Sequence, residues 1–205
     1  ELKKMDFSKY DTILHVAAIV HQKEQPEMEA LYYAVNTKLT EELADKAKAE
    51  RVRQFVFLST MSVYGMTMGQ ITEETECTPI TFYGKSKLAA ERYLYEQRSD
   101  TFKVADIRPP MIYGKACTGN YASLEKLAGK IPVFPRVSNE RSMIYIENLC
   151  EFLYRIIRGD ADGIYCPQNS QYVNTSDMVA RIAESYGRSI SVSYTHLRAH
   201  ETDSY

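Results

Sequence analysis

Tyr83-Gly84-Lys85-Ser86-Lys87 sets a phenol and an ammonium four residues apart. On a helix, residues i and i+4 share one face, so both groups can address one site. The pairing answers a chemical problem. A free tyrosine has a pKa of about 10 and is a poor base near neutral pH. A cation held nearby stabilises the phenolate, which can then take a proton from an alcohol while hydride leaves the same carbon. The pattern alone is unspecific. The chain has 16 tyrosines and 25 lysines plus arginines, so a Tyr and Lys on a solvated helix surface would match it too.

The elements around the pair give it weight. Asp11 to Ala18 (DTILHVAA) is a short apolar run that reads as a strand buried on both faces. Gln25 to Glu50 follows, with Tyr32, Val35, Leu39, Leu43 and Ala47 at helical spacing. Gln54 to Ser59 (QFVFLS) reads as a second buried strand. Strand, helix, strand is a βαβ unit, which needs a parallel pair and a right-handed crossover. Met61 to Pro79 reads as loop and Phe82 to Gln97 as the helix that carries Tyr83 and Lys87. Lys103 to Ile107 is a third strand, stopped by Pro109 and Pro110. Further helices are expected over Tyr121–Leu127 and Glu147–Ile157, the latter ended by Gly159, and a strand over Gly163–Cys166. A last helix is expected from an N-cap at Ser176 to Tyr186, with Gly187 as its C-cap.

Hydroxyl residues Ser59, Thr60 and Ser62 follow the second strand, and carboxyl ends of parallel strands are where α/β sheets place their sites. His15-Val16-Ala17-Ala18 ends the first strand in small residues that let a ligand approach. Arg108-Pro109-Pro110-Met111-Ile112-Tyr113-Gly114 follows the third. In this order and spacing the blocks resemble the extended short-chain dehydrogenase/reductase family. The likeness is to its NAD-dependent epimerase/dehydratase group, which includes UDP-galactose 4-epimerase, and covers roughly residues 10 to 187.

The resemblance implies an α/β, Rossmann-like, doubly wound parallel sheet with a small C-terminal substrate-binding lobe. Residues 1–110 would be the NAD-binding part and 111–192 the substrate lobe with the remaining sheet elements. It implies that Tyr83 is the catalytic tyrosine, Lys87 its partner that also holds the nicotinamide ribose, and Thr60 the hydroxyl that meets substrate and phenol. Ser59 and Ser62 stay open as alternatives to Thr60. Ala17 and Ala18 would lie beside the dinucleotide, Asn36 near that strand end, and Pro109 and Pro110 along the nicotinamide. Asn120 and Arg141 would meet the diphosphate of a nucleotide sugar, which suits arginine because its planar fork binds phosphate oxygens bidentately. A loop-capping asparagine and a surface arginine are the plainer readings. NAD is the implied cofactor. A homodimer through the helices at 25–50 and 82–97 is compatible, as is packing of both helices on the sheet alone.

Two features depart from the family. The first glycine is Gly65, past the second strand, so no glycine-rich turn precedes the first strand. The expectation is therefore a truncated sheet that binds NAD poorly, turns nothing over and exposes strand edges. Residues 193–205 (SYTHLRAHETDSY) show neither strand nor helix periodicity and resemble translated sequencing-adapter read-through. His196 and His200 there lack any further ligand pattern, so no metal site is expected.

Family 4,6-dehydratases carry an Asp-Glu pair directly after the threonine. Met61 and Ser62 stand there instead, which favours epimerisation at C4 through a 4-keto sugar, or simple reduction. The stretch Asn139 to Leu149 (NERSMIYIENL) resembles epimerase-like proteins of bacterial surface-polysaccharide pathways, whose sugars ride on nucleotide or lipid diphosphates. Two other classes remain open. A reductase of a non-nucleotide carbonyl would not need Arg141. A non-catalytic dinucleotide-binding relative would not need Tyr83. Net charge −2 gives no basis for capture of nucleic acid or an acidic membrane. No apolar run reaches the roughly 20 residues that cross a bilayer. Cys77, Cys117, Cys150 and Cys166 form no Cys-x-x-Cys pair, so a reduced, cytoplasmic setting is expected.

Overall fold

A computed structural model describes residues 2–20, 24–115, 117 and 119–193. Four parallel strands form the main sheet in the order β1 (Thr12–His15), β2 (Gln54–Leu58), β3 (Lys103–Ile107), β7 (Gly163–Tyr165). The apolar run of β2 is why it sits centrally: Gln54 to Phe57 are all buried. Its side chains alternate between two layers. Phe55 and Phe57, with Val104 of β3, pack under α2 (Leu39–Ala49) and α3 (Phe82–Gln97), against Ala44, Ala47, Ala90 and Leu94. Val56, with Ala105 and Ile107, packs against Leu149, Leu153 and Ile156 of α5 (Ile146–Arg158). Helices on both faces are what a parallel sheet of continuous apolar strands requires. The register sets Phe57 beside His15 on one side and Asp106 on the other.

Two further parallel pairs stand apart. They are β4 (Met111–Tyr113) with β6 (Met143–Tyr145), and β5 (Val133–Pro135) with β8 (Ser191–Ser193). With α4 (Asn120–Ala128) and α6 (Thr175–Ser185) they enclose a core of Ala128, Met143, Met178, Val179, Ile182, Ala183 and Ile190. None of these four strands was expected. Three residues are too few to display a period of two.

Several expectations need correction. The first strand ends at His15 and, among the described residues, pairs only with β2, so Leu14 is 39% exposed rather than buried on both faces. The helix over 25–50 opens with a 3-10 turn at Pro26–Met28. It then runs as α1 (Glu29–Tyr32), a π segment (Tyr33–Lys38) and α2. Its most buried positions include polar Asn36, Thr37 and Thr40, while Val35, Leu39 and Leu43 are only half-buried. The wider π turn reduces the angle between consecutive side chains, so Asn36 and Thr37 both face inward. The last helix is capped by Asn174, whose Oδ1 accepts from Ser176 N (2.9 Å) and Asp177 N (3.3 Å). Ser176 sits inside the helix and donates its hydroxyl to the Pro135 carbonyl (3.0 Å). Ser193, expected in a structureless tail, pairs with Pro135 in β8. The rest of that tail, with His196 and His200, lies outside the described residues.

Candidate active site

The site forms where β2 and β3 end. Beyond the ladder, Ser59 N donates to Ile107 O (2.7 Å) and Met61 N to Pro109 O (3.2 Å). These bonds hold the hydroxyl segment against the proline segment. Thr60 has extended backbone and caps a 3-10 turn over Met61–Tyr64, its Oγ1 accepting from Ser62 N at 3.1 Å. Gly65 ends that turn at φ +66, and a Cβ there would meet the Thr78 carbonyl oxygen at 2.0 Å. Only glycine tolerates both conditions.

The helix α3 starts at two caps. Thr81 Oγ1 accepts from Gly84 N at 3.0 Å. Glu24, 59 residues before Tyr83 in the chain, accepts from Phe82 N and Tyr83 N, each at 2.9 Å. A carboxylate at this end satisfies orphan donors and complements the helix dipole. Gly84 lets α3 approach the Thr60 turn. A Cβ there would lie 2.6 Å from Ser62 O and 3.0 Å from Pro79 Cβ. Intrinsic helix propensity favours alanine over glycine by about 1 kcal/mol. We nevertheless expect Gly84→Ala to lower stability, because the Ser62 backbone and the Pro79 ring would have to give way. A Gly84→Ala variant that melts at or above the unsubstituted protein would contradict the close packing.

Lys87 lies one turn beyond Tyr83 and is 1% exposed. Its Nζ donates to Leu58 O at 2.7 Å and sits 4.2 Å from the Phe57 ring centroid. Burial lowers its pKa to about 8, against the pull of Glu91 and Asp106. Burial pushes the Tyr83 phenol above its ordinary value, the Thr60 hydroxyl acts in the opposite direction, and Tyr32 adds to the rise. The net shift is thus upward, against the lowering expected from the lysine: the group that lowers the phenol is Thr60, and burial outweighs it. The ammonium addresses the end of β2.

One cavity of about 1720 Å³ is lined by Thr60, Tyr83 and Lys87, by Val16 and Ala18, by Pro109 and Pro110, and by Asn120 and Arg141. That exceeds the ~300–1,000 Å³ of sites for one small ligand. Residues distant in sequence thus meet around the phenol. Ser59 and Ser62 also line it. The Ser59 hydroxyl, however, is committed to Glu91. Arg141 is fixed through its backbone to Val173 (2.9 and 3.0 Å), and its side chain forms no salt bridge among the described residues.

Ala17 and Asn36 do not line the cavity. Asn36 is fully buried and works behind it. Its Oδ1 accepts from Ile19 N (2.8 Å), and its Nδ2 donates to Ile19 O (3.1 Å) and Ser86 Oγ (3.1 Å). Ser86 Oγ in turn donates to Tyr83 O (3.0 Å). Asn36 therefore ties the segment after β1 to the turn of α3 that carries the phenol.

Residues that sequence reading missed lie in a buried cluster. Arg108 donates Nε to both Glu91 oxygens (3.1 and 3.2 Å) and Nη1 to Tyr64 OH (2.7 Å). Burial acts to lower the Arg108 pKa, but Glu91 and Tyr64 overcome this and hold it above the ordinary value. The available signal was spacing: Glu91 follows Lys87 by four, on the same face of α3.

His15 is a second buried group. Its Nε2 lies 3.0 Å from Thr40 Oγ1, and Thr40 gives its one hydroxyl proton to Asn36 O (2.9 Å). The Thr40 oxygen is then an acceptor toward the ring, which assigns the proton to His15 Nε2. Burial, with Lys87 nearby, lowers its pKa to about 4. An unfolded imidazole titrates near 6.5. Between these values the unfolded chain binds the extra proton, so stability is complete above the upper value and falls as pH drops toward the lower. The loss is of order 1–3 kcal/mol after allowance for solvent screening. Urea unfolding between pH 7 and 4.5 should show this slope, reduced in His15→Gln. An equal slope in both proteins would remove the assignment.

Among the described residues no cluster of His, Cys, Asp or Glu could hold a metal ion, and no helix is long and apolar enough to cross a membrane.

The chain matches the model of the NAD dependent epimerase/dehydratase family over residues 2–166. It is 29% identical over 188 residues to the N-acetyl-alpha-D-glucosaminyl-diphospho-ditrans,octacis-undecaprenol 4-epimerase of Escherichia coli O157:H7, covering 88% of this chain and 56% of that protein. It is 31% identical over 182 residues to the UDP-glucose 4-epimerase of Vibrio cholerae, covering 83% of this chain and 56% of that protein. The chain thus spans about half the length of the curated relatives it matches. In fold it is similar to the UDP-glucuronic acid 4-epimerase of Bacillus cereus in complex with NAD, with a TM-score of 0.78 and 18% identity. That likeness covers 94% of this chain and 66% of that one.

Proposed function

The chain belongs to the NAD dependent epimerase/dehydratase family, and from that premise we propose that its cavity takes NAD beside a diphosphate-linked sugar, which the protein epimerises at C4. The observation that carries this reading is the meeting of Tyr83, Lys87, Thr60 and Arg141 around one cavity. The lining fits the nicotinamide half of the cofactor. Val16 and Ala18 give a small, open strand end, Pro109 and Pro110 an apolar wall, and Lys87 a cation at the base. When bound, NAD supplies the acceptor and later the donor of a hydride.

The remaining steps belong to the chain's own residues. Thr60 orients the sugar hydroxyl toward Tyr83, and the phenolate takes its proton as the C4–H bond breaks. The ammonium of Lys87 favours the phenolate once the charged cofactor and substrate join it. The resulting 4-keto sugar turns within the cavity, and Tyr83 returns the proton to the oxygen of the inverted alcohol. The position after Thr60 supports epimerisation over dehydration, because Met61 and Ser62 offer no carboxylate. Arg141 grips the diphosphate, with Asn120 beside it. The undecaprenol-linked and UDP-linked relatives support a diphosphate carrier in general, whether lipid or nucleotide. Pairing of two copies through the helices at 25–50 and 82–97 is part of the same proposal, and sedimentation as a monomer alone would remove it.

The test is an assay of the full-length protein with UDP-glucose, UDP-N-acetylglucosamine and their galacto-epimers. Interconversion of a C4 pair is the expected result. Arg141→Ala should raise KM at least about tenfold with a smaller effect on kcat, since a charged hydrogen bond to phosphate is worth about 1.5–3 kcal/mol. An unchanged KM would instead favour a carbonyl reductase that recognises no diphosphate.

A further inference from the structure

Lys87 is 1% exposed, and among the described residues its ammonium forms no ion pair. A buried cation without a partner is strongly unfavourable. Glu91, one turn further along α3, is bound by Arg108 and by Ser59. Asp106 of β3 is not bonded to the ammonium either, and its Oδ1 has no hydrogen-bond partner among the described residues.

Two consecutive residues of β2 hold the ammonium instead. Its Nζ donates to Leu58 O at 2.7 Å and stands 4.2 Å from the centroid of the Phe57 ring. The other lysines set over rings among the described residues stand 5.3 Å away or more. The face of an aromatic ring is the negative part of its quadrupole, and its attraction for a cation grows where water is excluded. Phe57 is fully buried, in the cluster that includes Ala44, Ala47, Ala90 and Leu94. Packing accounts for the burial of an apolar side chain here, but not for a charge set over its face. An ammonium has three N–H donors. Lys87 also lines the cavity, so donors remain for a ligand there. We propose that Phe57 is a positioning residue, whose ring face anchors the Lys87 ammonium and keeps it charged at the edge of the cavity. Phe57 acts on the reaction only through the lysine.

The charged and titratable groups around Lys87 come from three elements. Glu91 lies on α3, Asp106 on β3 and His15 on β1. Burial draws Lys87 down to about 8, while Glu91 and then Asp106 draw it up. The His15 ring stacks on Phe57 with centroids 5.8 Å apart. Burial and then Lys87 keep that imidazole neutral down to about pH 4, so above this value it does not oppose the ammonium.

The proposal rests on the reading of Lys87 as the partner of Tyr83 in the reaction, so one arm of its test needs no turnover. In the full-length protein Phe57 would be replaced in turn by mono-, di- and trifluorophenylalanine. Each fluorine weakens the negative face of the ring while nearly preserving its shape. The titration of Lys87 would be followed by NMR of ¹³Cε-labelled lysine, with Lys87→Met identifying the resonance. The midpoint should fall stepwise with fluorine number, by about one pH unit across the series, a tenfold weaker hold on the proton. An unmoved midpoint, or shifts that do not follow fluorine number, would overturn the proposal. Should the trifluoro protein not fold, the mono- and difluoro proteins decide by the same criterion. In the epimerase assay, the alkaline limb of kcat/KM should move to lower pH in the same order. A purely structural role would change the melting temperature and leave both the midpoint and the limb in place. Turnover absent at every pH, with the ordered NMR shift present, would remove the epimerase reading and leave the hold of Phe57 on Lys87 standing.

Discussion

Tyr83→Phe is expected to lower kcat by about 10²–10⁴-fold, the usual contribution of a positioned acid–base group. The substitution removes one hydroxyl and keeps the ring, so α3 and its caps should survive. The backbone of Tyr83 is held independently, by Glu24 at its N–H and Ser86 at its carbonyl. A melting temperature within a degree or two of the unsubstituted protein, together with lost epimerisation, would tie the loss to proton transfer. Retention of more than a tenth of the rate would mean that another group, Thr60 or Ser62, moves the proton.

Glu91→Ala should be the most destabilising of the substitutions considered. Glu91 and Arg108 are 4% and 5% exposed, and the truncation strands a buried guanidinium. Breaking one side of a buried pair costs about 3–5 kcal/mol. For a chain of this size that corresponds to a fall of roughly 6–20 °C in melting temperature. Ser59 also loses its acceptor. Replacing both partners, as Glu91→Leu with Arg108→Met, should recover much of the loss, because no charge is then left unpaired. Thermal unfolding of the two variants checks this. A loss below about 1 kcal/mol for Glu91→Ala would show that water reaches the arginine.

The family relation and the candidate site were legible for different reasons. The strand β2 announced itself through its apolar run and β3 through the prolines that stop it, and Thr60, Pro109 and Pro110 through their place after these strands. Tyr83 and Lys87 were legible because helical geometry makes i and i+4 neighbours whatever the rest of the chain does. Asn36 was legible as a residue near the end of the first strand, while its hydrogen bonds to Ile19 and Ser86 were not. The N-cap at Asn174 was missed because Asn and Ser both cap helices, and only hydrogen bonds distinguish them.

Local periodicity by itself therefore determined that Tyr83 and Lys87 share one face of α3 and which strands flank that helix. What it could not reach was everything set by desolvation and by separation in the chain. The upward shift of Tyr83, the pKa of about 8 at Lys87 and the orphaned Asp106 oxygen arise from burial. Burial sums contributions from β1, β2, β3 and α3 together. Glu24 reaches the α3 N-terminus across 58 residues, and Arg141 shares a cavity with Tyr83 across a similar gap. No pattern of short period encodes such meetings; packing of the assembled layers decides them.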